Sequence, residues 1–119
     1  MEETQSVEMT FADLVADSWR FAKDYRKVVT KLDAHEQGRF ANKLNYYLQQ
    51  LQSSLERLGM KLENLEEQPF EMGMAAVVLN LDEFSEEDAL IVDQMLEPVI
   101  LGPKGVIRMG KIMVRKARL

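Results

Sequence analysis

Apolar residues in the first third of the chain recur in alternating steps of three and four: Phe11, Leu14 or Val15, Ser18, Ala22, Tyr25, Val29 and Leu32. That spacing gathers them on one helical face, and Trp19, Phe21 and Val28 widen the stripe. Thr10, with Asp13 three residues on, predicts the start of this helix: a hydroxyl to cap the first turn and an acid at the positive end of the dipole. Residues 1–9 are expected to be a flexible N-terminus. The rhythm slips over residues 33–38, where Glu36 and Arg39 replace the apolar residues that the stripe requires and Gly38 suits a helix end or hinge. A second stripe then runs through Phe40, Leu44, Leu48, Leu51, Leu55, Leu58, Leu62 and Leu65.

Two amphipathic helices of roughly 23 and 28 residues follow from this pattern, occupying residues 10–67. The break at Gly38 fits a hairpin better than one long kinked helix. Neither stripe can stay wet, since a row of six or more Leu and aromatic residues loses on the order of 10 kcal/mol of burial if exposed. A two-helix hairpin has a single internal interface, so the expected assembly is a homodimer forming a four-helix bundle. Its seam is expected to involve Leu44, Leu48, Leu51, Leu55 and Leu58, with Trp19 and Tyr25 beside them.

Helical periodicity stops before Pro69, which cannot continue a helix and pushes the preceding residue toward extended geometry. Residues 68–119 are then read as a small, mostly antiparallel β domain. Strands are expected over Met74–Leu81, Ala89–Glu97 and Val106–Lys116. Between them lie an acidic loop at residues 82–88, with Ser85 able to cap a short helix, and an edge strand and turn carrying Pro98, Gly102, Pro103 and Gly105. In the final strand neither alternating set is cleanly apolar, which fits a partner surface or a solvated basic edge. The fold class is α+β.

Composition adds two facts to the pattern. The 119 residues contain no Cys and are 46% hydrophobic, which suits one globular chain with no disulfide or thiolate metal site. The net charge of −5 is unevenly placed: from Gly102 onward there are six bases and no acid, leaving nine bases against twenty acids, −11, in residues 1–101. An acidic total disfavours generic nucleic-acid binding, and the basic end lacks the aromatic platform of a single-strand binder. No apolar run has the length of a membrane span. The start, Met1-Glu-Glu-Thr-Gln, lacks the positive residues and apolar block of a signal peptide, so a cytoplasmic location is expected.

Catalytic chemistry is hard to find. His35 is the single histidine; with no second His and no Cys it reads as a helix-end residue favoured by the dipole, not a zinc ligand. The acidic runs at 63–67 and 82–88 lack the alternating pattern and central Gly of a calcium loop. Gly102-Pro-Lys-Gly105 is a turn and not a phosphate loop, because the remainder of that motif is missing. Eight Met residues, five of them between 72 and 113, suit core filling or adaptable contact surfaces. The chain is expected not to be an enzyme and to need no cofactor or metal.

The junction Leu55-Glu-Arg-Leu-Gly-Met-Lys-Leu62, followed by Gln68-Pro-Phe-Glu-Met-Gly-Met-Ala-Ala76, resembles the point in GrpE nucleotide exchange factors where a bundle helix ends and a β domain begins. Pro69, Phe70 and Ala75 match that family's Pro-Phe-Asp-Pro and His-Glu-Ala pattern, with Glu71, Met72 and Met74 standing where it differs. The end, Gly105-Val-Ile-Arg-Met-Gly-Lys-Ile-Met-Val-Arg-Lys-Ala117, is similar to the family's closing strand, with Arg108, Val114 and Lys116 in equivalent places. The likeness spans residues 10–118 and lacks the family's long N-terminal paired helix.

The resemblance implies a homodimer whose β domains press on the nucleotide-binding domain of a DnaK-type chaperone and release ADP. It places the partner contact at Lys104, Arg108, Met113 and Val114, with Lys111 and Lys116 as electrostatic neighbours. The alternative reading is a dimeric, non-catalytic adaptor whose β domain docks onto another complex.

Overall fold

In the computed structural model, which describes residues 2–117, the chain divides into two compact units, Met1–Lys61 and Leu62–Leu119. Helix α1 covers Glu2–Val29 and helix α2 covers Ala34–Arg57. The first helix therefore begins eight residues before the expected Thr10 cap and runs through the segment expected to be flexible. Thr10 lies inside it.

The break between the helices is a four-residue turn at 30–33, which makes the first unit a helical hairpin. Both helix ends supply its chemistry. Asp33 accepts a hydrogen bond from the Glu36 N–H at 2.9 Å as the N-cap of α2, and the Gln37 amide donates to the carbonyls of Thr30 and Leu32, at 3.1 and 2.7 Å. Orphan groups at two facing helix ends are thus satisfied from one short sequence. Gly38 is neither end nor hinge: it lies inside α2, and His35 sits in that helix's first turn, at the positive end of its dipole.

Helix α2 ends at Arg57, ten residues short of the predicted boundary. Gly59 takes φ +70, the Gly59 N–H donates to the Glu56 carbonyl at 3.0 Å, and the Met60 N–H reaches the Leu55 carbonyl at 2.9 Å. These are the two bonds of a Schellman stop, and Leu55 and Met60, both buried, are the apolar pair that accompanies it. Leu58, Leu62 and Leu65 keep the helical spacing but stand outside the helix.

The second unit holds two three-stranded sheets built from β1 (Lys61–Glu63), β2 (Ala76–Val78), β3 (Leu90–Glu97), β4 (Val99–Gly102), β5 (Gly105–Arg108) and β6 (Gly110–Lys116). Their orders are β1-β4-β5 and β2-β6-β3. Strands β3 and β6 pair antiparallel, with Val92 opposite Val114 and Met95 opposite Ile112; β4 and β5 form a hairpin; β2 runs parallel to β6. The core is Val92, Met95, Val99, Ile100, Ile112 and Val114, each nearly or fully excluded from solvent. The fold class is α+β, as the pattern of elements indicates.

Two strand expectations change. Met74–Leu81 yields only the three residues of β2, followed by a 3-10 turn at Leu81–Glu83; no helix starts at Ser85, whose N–H instead donates to the Asp88 carboxylate at 2.9 Å. The expected single strand Val106–Lys116 is two strands in different sheets, separated at Met109. Gly110 explains the crossing, since a Cβ there would lie 2.8 Å from the Glu97 carbonyl and 3.1 Å from Val99 Cγ2.

Candidate docking surfaces

In the helical unit, the residues that α1 buries are small: Ala12, Val15, Ala16, Ala22 and Val29. On another face of the same helix, Val7, Leu14, Phe21 and Val28 recur in steps of seven and stand 68%, 60%, 70% and 59% exposed. A fourfold heptad of large apolar side chains left in water is the mark of an interaction face. Phe21 also borders a groove of about 240 Å³ with Tyr25 of α1 and Lys43, Leu44 and Tyr47 of α2.

The residues expected at the seam fall into different environments. Leu44 and Leu55 are buried within the chain, so neither is open to a second copy. Leu48 and Leu51 are half-buried, and Leu58 is exposed but lies past the helix end. Trp19 is half-buried under the Lys23 ammonium, 4.8 Å from its ring centre, and Tyr25 lines the groove. By sequence spacing Phe21 and Val28 widen one stripe. The steps of seven separate a second one.

In the β unit the expected partner residues fall into different roles. Val114 is 2% exposed and Ile112 fully buried; Val114 is core, which closes it to the partner contact expected of it. Its backbone is clamped by Asn80, whose side-chain amide donates to the Val114 carbonyl and accepts from the Val114 N–H, both at 2.9 Å. Asn80 therefore prolongs the β2–β6 ladder with a side chain after β2 has ended. Met113 is half-buried.

The basic end is largely consumed by the fold. Arg108 pairs with Glu97 at 2.5 Å and Lys111 with the other oxygen of the same carboxylate at 3.4 Å. Arg115 reaches Glu67 at 2.9 Å and Asp93 at 3.2 Å, and Lys116 lies 3.8 Å from Asp88. Arg118 lies outside the described residues. Lys104, in the β4–β5 turn, forms no ion pair among the described residues. Glu97 is the buried charge of the unit: desolvation alone would raise its carboxyl, but the hydrogen bond and charge of Arg108, with those of Lys111, outweigh it and hold the group below its ordinary 4.5. What remains open at this corner is Lys104, Val106, Met109 and the half-exposed Lys111.

Along β2 lies a larger groove, of about 1100 Å³, between the 69–72 segment and the acidic loop. Among the described residues, no group of three or more His, Asp or Glu side chains is placed to hold a metal ion, and no helix is long and apolar enough to cross a membrane. Comparison of the chain with protein-family models, with curated proteins and with solved structures finds no match.

Proposed function

We propose that this chain is a GrpE-like co-chaperone. It acts in the cytoplasm as a homodimer, its helical unit joining a second copy in a four-helix bundle and its β unit docking on the nucleotide-binding domain of a DnaK-type chaperone to promote ADP release. The observation that carries the reading is the corner of the β unit where exposed Val106 and Met109 stand beside Lys104 and Lys111. Apolar anchors rimmed by cations suit an acidic protein surface. No covalent chemistry is required: a partner that prefers the open, nucleotide-free chaperone weakens nucleotide binding by the same coupling free energy with which nucleotide weakens the partner.

The dimer half of the reading is supported by the exposed heptad of α1. Its flanks are also self-complementary. Residues 7–18 carry three acids, Glu8, Asp13 and Asp17, and no base; residues 19–29 carry Arg20, Lys23, Arg26 and Lys27 against Asp24. Two antiparallel α1 helices set −3 against +3 along their length.

Stopped-flow release of labelled ADP from a DnaK-type chaperone of the same organism, with light scattering on the same sample, tests the proposal. Accelerated release by a dimer supports it. A bound dimer that leaves the release rate unchanged instead supports the docking adaptor, and an absence of binding rejects the chaperone reading.

A further inference from the structure

The β unit carries two exposed apolar surfaces of opposite charge. One is the groove of about 1100 Å³, lined by the 69–72 segment and by residues between 78 and 90. Met72, Leu79 and Leu81 are exposed in it, beside Phe70 and Phe84. Every charged residue of its lining is an acid: Glu71, Asp82, Glu86 and Asp88. Lys116 approaches Asp88, whereas Glu71, Asp82 and Glu86 form no ion pair among the described residues. The other surface is the tip of the β4–β5 hairpin and the crossing into β6. Residues 103–106 are exposed throughout, Val106 and Met109 are its exposed apolar groups, and its cations are Lys104 and the half-exposed Lys111. The tip is convex, a turn closed by the Gly102–Gly105 pair, and the groove is concave.

A single copy does not bring the two together. Lys111 lies at the start of β6, in register with Glu97, and Lys116 at its end, opposite Leu90 of the groove. Just beyond, the Ala117 N–H donates to the carbonyl of Ala89, another residue of the groove. The strand between Lys111 and Lys116, about 16 Å at about 3.3 Å per residue, holds the corner and this end of the groove apart. A complementary pair of surfaces that one molecule cannot close on itself is open to a second copy.

We propose that the basic corner of one copy seats in the acidic groove of another, a head-to-tail contact between β units. Val106 and Met109 bury against Met72, Leu79 and Leu81, while Lys104 and Lys111 meet Glu71, Asp82 and Glu86. Thioethers on both sides, Met109 and Met72, let the two surfaces adapt to each other. Because the two patches differ, the contact is heterologous, and association continues from copy to copy until a ring closes. With two apolar anchors on the corner the interface is small, so it fills at high micromolar to millimolar concentration. It uses none of the α1 stripe and does not depend on the chaperone reading. A copy whose corner is seated has no corner to offer any other partner.

The test is a dilution series of the full, isotope-labelled chain followed by amide chemical shifts. As concentration rises, the amides of residues 71–90 and 103–111 are expected to move together, and added salt should weaken the association. Two variants with the natural thermal midpoint divide the contact: Lys104→Ser with Met109→Ser removes the corner, and Glu71→Lys with Asp82→Lys and Glu86→Lys removes the groove. Each alone should lose at least tenfold in self-affinity. Mixing them restores one intact contact, so the labelled corner variant should then shift only in 71–90 and the labelled groove variant only in 103–111. A mixture that restores nothing, or a groove that shifts without the corner, would overturn the proposal. Shifts confined to residues 7–28 would report the α1 assembly alone and overturn the corner contact while leaving the dimer of the chaperone reading in place. A natural protein whose β-unit amides stay fixed up to millimolar concentration would give the groove to a different occupant and overturn it as well.

Discussion

Arg108 closes β5 and Glu97 closes β3, and their ion pair ties the last residue of one sheet's outer strand to the last residue of a strand in the other. The Glu97 side chain is nearly buried and the Arg108 guanidinium about three-quarters so. Removing one partner strands a desolvated charge, which costs more than an ordinary surface pair contributes. Arg108→Met is expected to lower unfolding stability by about 2 kcal/mol, with Lys111 retaining part of the attraction, as read from urea denaturation.

The same pair sets an acid limit. Because the folded-state pKa of Glu97 lies below its unfolded value, the carboxylate's contribution is complete above about pH 4.5 and is lost as pH falls through the folded pKa. Urea midpoints measured from pH 7 to pH 3 should show the stability gap between the natural protein and Glu97→Gln narrowing below pH 4.5. A gap that stays constant across that range would mean that the charge on Glu97 contributes nothing.

Asn80 stands in for a strand residue by bonding both backbone groups of Val114. Asn80→Ala leaves a part-buried N–H and carbonyl without those partners and is expected to cost about 1–3 kcal/mol. Hydrogen exchange should report it locally, with the Val114 amide losing protection before the β3-paired amides around Met95 do.

Two glycines should respond to alanine with opposite signs. At Gly110 the new Cβ would meet the Glu97 carbonyl at 2.8 Å, a backbone atom that cannot swing aside, so Gly110→Ala should lower stability by about 1–3 kcal/mol. At Gly38, inside α2, nothing lies within 4 Å of that position, and Gly38→Ala should raise stability by about 0.5–1 kcal/mol through helix propensity. Thermal melts of the two variants make the comparison.

The α1 stripe predicts the assembly. Combining Leu14→Lys with Phe21→Lys removes two of its four exposed apolar residues without touching the buried Ala and Val of the hairpin. Light scattering should show the mass fall from dimer to monomer while circular dichroism keeps its helical signal. A natural protein already monomeric at tens of micromolar would reject the self-association.

Periodicity and residue type alone determine that two amphipathic helices precede a β region and that a strand ends at Glu97, because these features rest on spacing and on β-branched runs that neighbours in sequence decide; the break expected over 33–38 falls at 30–33. The Schellman stop was also written locally, in Leu58-Gly59-Met60, but a continuing leucine spacing concealed it: Leu62 and Leu65 keep the helical rhythm by coincidence of count. Likewise, apolar steps of three and four on α1 merged two faces, and the exposed heptad separates from the buried Ala–Val seam only when burial is known. What tertiary structure alone decided is where the charges and the last strand go. Arg108, Lys111, Arg115 and Lys116 read as a cationic surface because their partners, Glu97, Glu67, Asp93 and Asp88, lie from 11 to 48 positions away. Whether a charge faces water or a carboxylate depends on chain segments that meet only after folding. The same holds for Val114, whose core position follows from pairing with Val92 and Asn80, and no pattern within the final strand contains either partner.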